Sequence, residues 1–197
     1  RRTFANTIKY IFITTSANFG NMISMAAGSL FLPFLPLLAK QVLLNNFMSD
    51  IPSVGIAGDR VDPEWEREPH RWNIRIIRDF MVIFGLVSTA FDLLTFYALI
   101  RLAGSAASAF RTGWFIESLL TELLVLFVVR TYRPFYRSRP GTFILASSAL
   151  LGLLAVALPY LPAGRVFGFV PLPWPVLAAV LAITLLYLVV SESTKRA

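Results

Sequence analysis

The sequence predicts an all-α membrane protein, a bundle of six transmembrane helices, and three observations carry that reading. Of 197 residues, 56% are hydrophobic and only 15% charged, and the mean hydropathy is +0.68, far above that of an ordinary soluble domain. Six apolar stretches reach the roughly 20 residues needed per bilayer crossing: 8–32, 37–57, 79–101, 113–130, 142–161 and 172–191. The basic residues of a chain with net charge +7 stand between those stretches, not in one patch. They read as topology signals, and no nucleic-acid partner is expected.

An even number of spans places both termini on one side of the membrane. Arg1, Arg2, Lys9, the basic residues of the 58–78 and 130–140 loops, Lys195 and Arg196 fall on that side. Lys40, Arg101, Arg111 and Arg165 fall on the other. The basic-rich side is cytoplasmic by the positive-inside rule, which predicts a multi-pass protein of the cell membrane with both termini cytoplasmic. The chain then divides into a cytosolic base for the first helix (1–9), a first helical hairpin (8–57), a cytoplasmic loop (58–78), four further membrane helices (79–191) and a cytoplasmic tail (192–197). It has no cysteine, so disulfides and thiolate metal sites are excluded. It opens on Arg1 without a signal-peptide pattern and is expected to begin inside a longer polypeptide.

The informative stretch runs from Leu44 to Pro52, where an acid and small polar side chains interrupt a membrane-embedded segment. An aspartate near a bilayer centre costs at least about 2.5 kcal/mol, so it survives there with partners or as part of an ion path. On a helix Asn46, Ser49 and Asp50 stand at i, i+3 and i+4, which puts their oxygens on one face. Pro52 lacks an N–H, so the carbonyl of Met48 loses its helical donor. The turn of the first hairpin is marked by Pro33 and Pro36 and serves as a ruler. Asn18 and Asn21 precede its midpoint by about 16 and 13 residues, and Asn46 and Asp50 follow by about 11 and 15. At about 1.5 Å rise per residue the four side chains reach similar depth, provided the helices are antiparallel and the second is partly unwound. Asn18, Asn21, Asn46, Ser49 and Asp50 together offer one charged and several neutral oxygens, the ligands that hard cations such as Mg²⁺ and Ca²⁺ prefer.

Three more acids lie in the predicted spans. Glu122 is near the middle of the fourth and is a possible additional ion ligand. Glu117 is about 140° away round the same helix, and its place near the external interface favours a structural role. Asp92 is a second possible ion ligand, although Ser88 and Thr95 stand one turn away and offer it hydroxyls. His70, the single histidine, sits between Pro69 and Arg71 in a mixed-charge surface loop and is not assigned a metal. Ala103 to Ser108 reads as a short external linker, and Pro159, Pro162, Pro171, Pro173 and Pro175 bracket the last external loop. The chain has no Gly-rich phosphate loop, no Asp-Lys-Thr-Gly phosphorylation sequence and no Ser/His/Asp set. By itself it hydrolyses no nucleotide.

Arg1 to Tyr10 followed by Ser16-Ala17-Asn18-Phe19-Gly20-Asn21-Met22, and then Asn46-Phe47-Met48-Ser49-Asp50, open an ordered series of motifs. The first resembles the start of the fifth membrane helix of the P-type ATPases, most closely of their bacterial magnesium-transporting branch, and the second resembles the Asn-x-x-x-Asp of the sixth. Asp59-Arg60-Val61-Asp62, Pro69-His70-Arg71-Trp72-Asn73, Phe91 to Phe96 and Thr112 to Leu119 are similar to that branch in its loop and its seventh and eighth helices. The resemblance covers nearly the whole chain.

It implies the C-terminal half of a P-type ATPase membrane domain, with Mg²⁺ as the transported ion. ATP would be used only through an N-terminal part carrying four helices and the cytosolic domains, whose phosphorylation the fifth helix transmits to the ion site. The partners implied are the lipid bilayer and that N-terminal part. By position Asn18 and Asn21 match the polar pair of the fifth helix, and Asn46, Ser49 and Asp50 the ligands of the sixth. One departure stands out: magnesium-type members are expected to carry a glutamine-threonine pair where Glu122-Leu123 stands here. The residues alone leave two alternatives, a free-standing six-helix channel or secondary transporter, and an inactive membrane subunit or relic.

Overall fold

The computed structural model describes residues 2–59, 74–104 and 106–196. Among them are seven α-helices and no strand. They are α1 (Arg2–Phe31), α2 (Ala39–Val54), α3 (Ile74–Ala103), α4 (Ala107–Val129), α5 (Thr142–Ala157), α6 (Pro162–Phe167) and α7 (Trp174–Arg196). Most of the expected cytoplasmic loop, with Arg60, Arg67, His70 and Arg71, lies outside the described residues.

Four helical segments are long and apolar enough to cross a membrane: Ile74–Ala103, Ala107–Val129, Thr142–Tyr160 and Trp174–Lys195. The expected count of six is therefore met by four on length and composition. α1 has 30 residues but carries Asn6, Lys9, Ser16, Asn18, Asn21 and Ser24. α2 has only 16 and carries Gln41, Asn45, Asn46, Ser49 and Asp50. The short helix α6 stands where the prolines predict an external loop. Pro162 opens it at a position that needs no N–H, and Gly168 closes it with a φ of 80° that only glycine adopts without strain.

α4 forms the centre of the bundle. Its residues from Thr112 to Leu119 are all buried, and Phe110, Trp114, Phe115 and Leu119 join Phe96 and Leu99 of α3, Leu151 of α5 and Val180 of α7 in one core. α1 lies along α3, where Phe12, Phe80 and Phe84 stack with ring centroids 4.6 and 4.2 Å apart. Glycines let these two helices meet. A Cβ on Gly20 would stand 2.9 Å from the Cβ of Ser88 and 3.2 Å from the carbonyl oxygen of Gly85. Beside this contact the Thr89 hydroxyl lies 2.9 Å from the carbonyl of Gly85 and 3.3 Å from that of Gly20, and donates to them. Where lipid tails are as apolar as the helices, such close packing and interhelical hydrogen bonds hold the bundle together.

The expected first hairpin is looser than the sequence suggested. α1 is committed to α3, and a cavity of about 620 Å³ lined by Asn18, Asn21, Met25, Leu37, Asn45 and Trp114 opens between α1 and α2. Nor does α2 unwind at its polar stretch, because it stays helical from Ala39 through Pro52 to Val54 and only then tightens into the 3₁₀ turn Gly55–Gly58. Serine hydroxyls donate to its carbonyls here, Ser49 to Asn46 at 3.2 Å and Ser53 to Ser49 at 2.9 Å. At the other end Gln41 fixes the helix start, accepting the N–H of Leu38 at 2.8 Å and donating to the carbonyl of Phe167 at 3.0 Å.

If the Gly20 contact sets the spacing of α1 and α3, Gly20→Val lowers stability by about 1–3 kcal/mol through overpacking. Thermal unfolding in detergent checks this, with Gly58→Ala as control, since a Cβ there would meet no atom within 4 Å.

Candidate cation site

A second cavity, of about 90 Å³, lies where α1, α2 and α4 converge. It is lined by Thr14 and Asn18 of α1, by Asn46, Ser49, Asp50 and Ser53 of α2, and by Glu122 of α4. Four of the five residues singled out in sequence thus share one cavity. Two carboxylates face it together with carboxamide and hydroxyl oxygens, the oxygen-only donor set of a hard cation. The volume suits an ion with a few waters. Asn18 and Asp50 are exposed in this chain, whereas Asn46, Ser49 and Glu122 are half-buried.

Asn21, the fifth residue, does not line this cavity. Its amide donates to Oε1 of Glu122 at 2.5 Å, and its carbonyl oxygen accepts from the Ser118 hydroxyl at 3.3 Å. Asn45 joins it from α2, donating to the same Oε1 at 2.7 Å and to Ser118 at 3.4 Å. One carboxylate therefore holds three helices together. Its first oxygen is taken by two amides, which turns the group toward the cavity that it shares with Asp50.

Sequence reasoning missed Asn45 and Ser118. The ladder Gln41, Asn45, Ser49, Ser53 repeats every four residues along α2 and marks a polar stripe aimed at a neighbouring helix. Ser118 and Glu122 stand at i, i+4 on α4 in the same way. The face chosen from sequence, Asn46 to Asp50, is the next one round.

Asp92 is not on the cavity. It is buried, and its partners come from other helices and not from Ser88 or Thr95: Ser24 of α1 donates to Oδ2 at 2.5 Å and the indole N–H of Trp114 to Oδ1 at 2.7 Å. With both oxygens engaged, Asp92 ties α1, α3 and α4 together and offers little to an ion. Glu117, expected near the external interface, is 1% exposed and packs against Asp92. The 140° between the two α4 acids is realised as two directions, Glu117 toward α3 and Glu122 toward α1 and α2.

Apolar helices thus gather carboxylates and carboxamides from three elements round one small cavity. Comparison with known proteins identifies the family. Residues 34–197 match the family described as cation transporting ATPase, C-terminus. The "Magnesium-transporting ATPase, P-type 1" of Salmonella typhimurium (strain LT2) is 37% identical over 201 aligned residues, which take in 100% of this chain and 22% of the relative. The protein of the same name from Escherichia coli (strain K12) is 37% identical over 190 residues, 92% of this chain and 21% of the relative. The chain belongs to the C-terminal domain family of P-type cation-transporting ATPases, on their magnesium-transporting branch. It spans about a fifth of the length of these relatives.

Asn45→Ala removes one of the two amide donors to a partly buried carboxylate, so it should cost about 1–3 kcal/mol of stability. A lowered thermal unfolding midpoint checks this.

Proposed function

We propose that this chain is the C-terminal transport domain of a P-type ATPase that moves Mg²⁺ and that the cavity between α1, α2 and α4 is its cation site. The observation that carries the reading is the meeting of Asp50 and Glu122 in one cavity with oxygens of Asn18, Asn46 and Ser49. Asp50 carries the essential charge. Glu122 supplies a second, so that a divalent ion in the cavity is neutralised by two carboxylates, as a buried ion requires in a medium of low dielectric. Asn21 acts through Glu122, which it orients, while Asp92 serves the packing of the bundle. Mg²⁺ fits a site of few carboxylates because it binds through one or two of them and keeps part of its water shell. The names of the relatives favour the same ion.

In this reading α1 and α2 cross the membrane with the four apolar helices, giving six spans with both termini cytoplasmic in the cell membrane. The exposure of Asn18 and Asp50 supports it, since a bare carboxylate facing hydrocarbon is costly. The four helices expected in the N-terminal part would cover them. That part would also supply ATP hydrolysis, and α1, rising from residues 2–9, would carry its movements to the cavity.

Asp50→Asn in the full-length gene product should reduce ATP-driven transport of radioactive Mg²⁺ in proteoliposomes on the order of 100-fold, because the site loses a charge in a low-dielectric setting. Wild-type transport would remove Asp50 from the site. Glu122→Gln keeps the size of the side chain while removing its charge, and should raise the Mg²⁺ concentration for half-maximal transport by about tenfold; an unchanged concentration dependence excludes Glu122 as a ligand. The 197 residues alone, in liposomes without ATP, should pass no Mg²⁺, and a flux there would favour a channel.

A further inference from the structure

The three helices that meet at the cavity meet a second time, at one buried carboxylate near the end of the bundle where the chain begins. Asp59 follows the 3₁₀ turn that closes α2, and its side chain has no exposed surface. Its Oδ2 accepts from the Arg130 guanidinium at 3.1 Å and lies 4.0 Å from the Lys9 ammonium. Its Oδ1 accepts the backbone N–H of Gly141 at 3.1 Å. Its main-chain carbonyl accepts from the amide of Asn6 at 3.2 Å, and the same amide reaches the carbonyl of Ala57 at 3.1 Å. Arg130 is 1% exposed and Lys9 4%. Arg130 also donates to the carbonyl and hydroxyl of Ser138, both at 3.1 Å. The Asp59 carboxylate thus binds α1 through Lys9, α4 through Arg130 and the start of α5 through Gly141, and its main-chain carbonyl adds a second bond to α1 through Asn6.

The spacing along the chain relates this junction to the site. Asp59 is nine residues beyond Asp50, Lys9 nine before Asn18, and Arg130 eight beyond Glu122. At about 1.5 Å per residue α1 and α4 run about 12–14 Å from the junction to their cavity residues, and α2 connects the two through the 3₁₀ turn Gly55–Gly58. The cavity and the Asp59 junction are two crossbars between the same three rods, and the position of a rod at one crossbar fixes it at the other.

We propose that Asp59 is a positioning residue for the cation site, holding α1, α2 and α4 in the register that brings Asn18, Asp50 and Glu122 to a common centre. The inference rests on the reading of that cavity as the cation site. Its physical basis is the loss of a shared anchor: without the Asp59 carboxylate the bonds to Lys9, Arg130 and the Gly141 N–H no longer hold α1, α4 and the start of α5 at a fixed spacing, and removing one partner of a buried ion pair is strongly disruptive. A Mg²⁺ site tolerates little movement because its oxygens must lie at about 2.0–2.1 Å.

The test is ATP-driven transport of radioactive Mg²⁺ by the full-length gene product in liposomes, read as a function of Mg²⁺ concentration. Asp59→Asn should raise the concentration for half-maximal transport by about tenfold, as expected for ligands displaced by a fraction of an ångström, and leave the maximal rate within about twofold. Asp59→Glu, which keeps the charge, should recover most of the affinity. If Asp59→Asn does not accumulate in the membrane, the double variant Asp59→Asn with Arg130→Gln takes its place, with the same rise expected. A purely structural role would lower the amount of protein or the maximal rate and leave the half-maximal concentration unchanged, and that result overturns the proposal. Asp50→Asn run in parallel separates the two readings. Normal transport by Asp50→Asn removes the cation site itself, whereas its failure beside an Asp59 variant of wild-type affinity removes only the positioning role.

Discussion

A carboxylate inside a bundle of apolar helices has no water to turn to, and three of those in this chain are supplied with partners from elements distant in sequence. Glu122 takes amides from α1 and α2. Asp92 takes a hydroxyl from α1 and an indole N–H from α4. Asp59 takes charged and backbone donors from α1, α4 and the start of α5. Each of the three therefore acts as a tie between elements distant in sequence. In a bilayer, where burial of apolar surface does not by itself draw one helix to another, such ties and the close contact of small residues decide which helices are neighbours. α1 sits on α3 because Gly20 and Gly85 allow it and Thr89 bonds across.

Asp50 is the exception. Glu122, Asp92 and Asp59 are engaged by neighbouring helices, whereas Asp50 lines a cavity and is exposed, which in the proposed reading leaves its carboxylate to an ion. The larger cavity opens between α1 and α2. The polarity of these two helices and their loose mutual contact go together: their facing surfaces carry polar side chains that line cavities in place of apolar packing residues.

The polar face of the second helix was legible because i, i+3, i+4 spacing places Asn46, Ser49 and Asp50 together whatever their surroundings. The depth ruler from the prolines of the turn was enough to match Asn18 to that face. It could not place Asn21, since a residue three positions along a helix is turned by about 60°, and which of the two asparagines meets the cavity depends on how α1 is rotated against α3. Asp92 shows the same limit. Its nearest hydroxyls in sequence, on Ser88 and Thr95, are not its partners, because a carboxylate binds the donors that packing brings to it.

The sequence by itself determined the helical membrane architecture, the approximate limits of its main helices and the residue types of a cation site, since hydropathy, helical periodicity and charge placement are local properties that survive any packing. The tertiary structure alone decided which helices touch, that Asn45 and Ser118 serve Glu122, that Asn21 and Asp92 turn away from the cavity, and that Asp59 joins the helices that build it. Those outcomes depend on the rotation of each helix about its axis. That rotation is set by contacts between residues 50 to 100 positions apart, and nothing within a single helix records it.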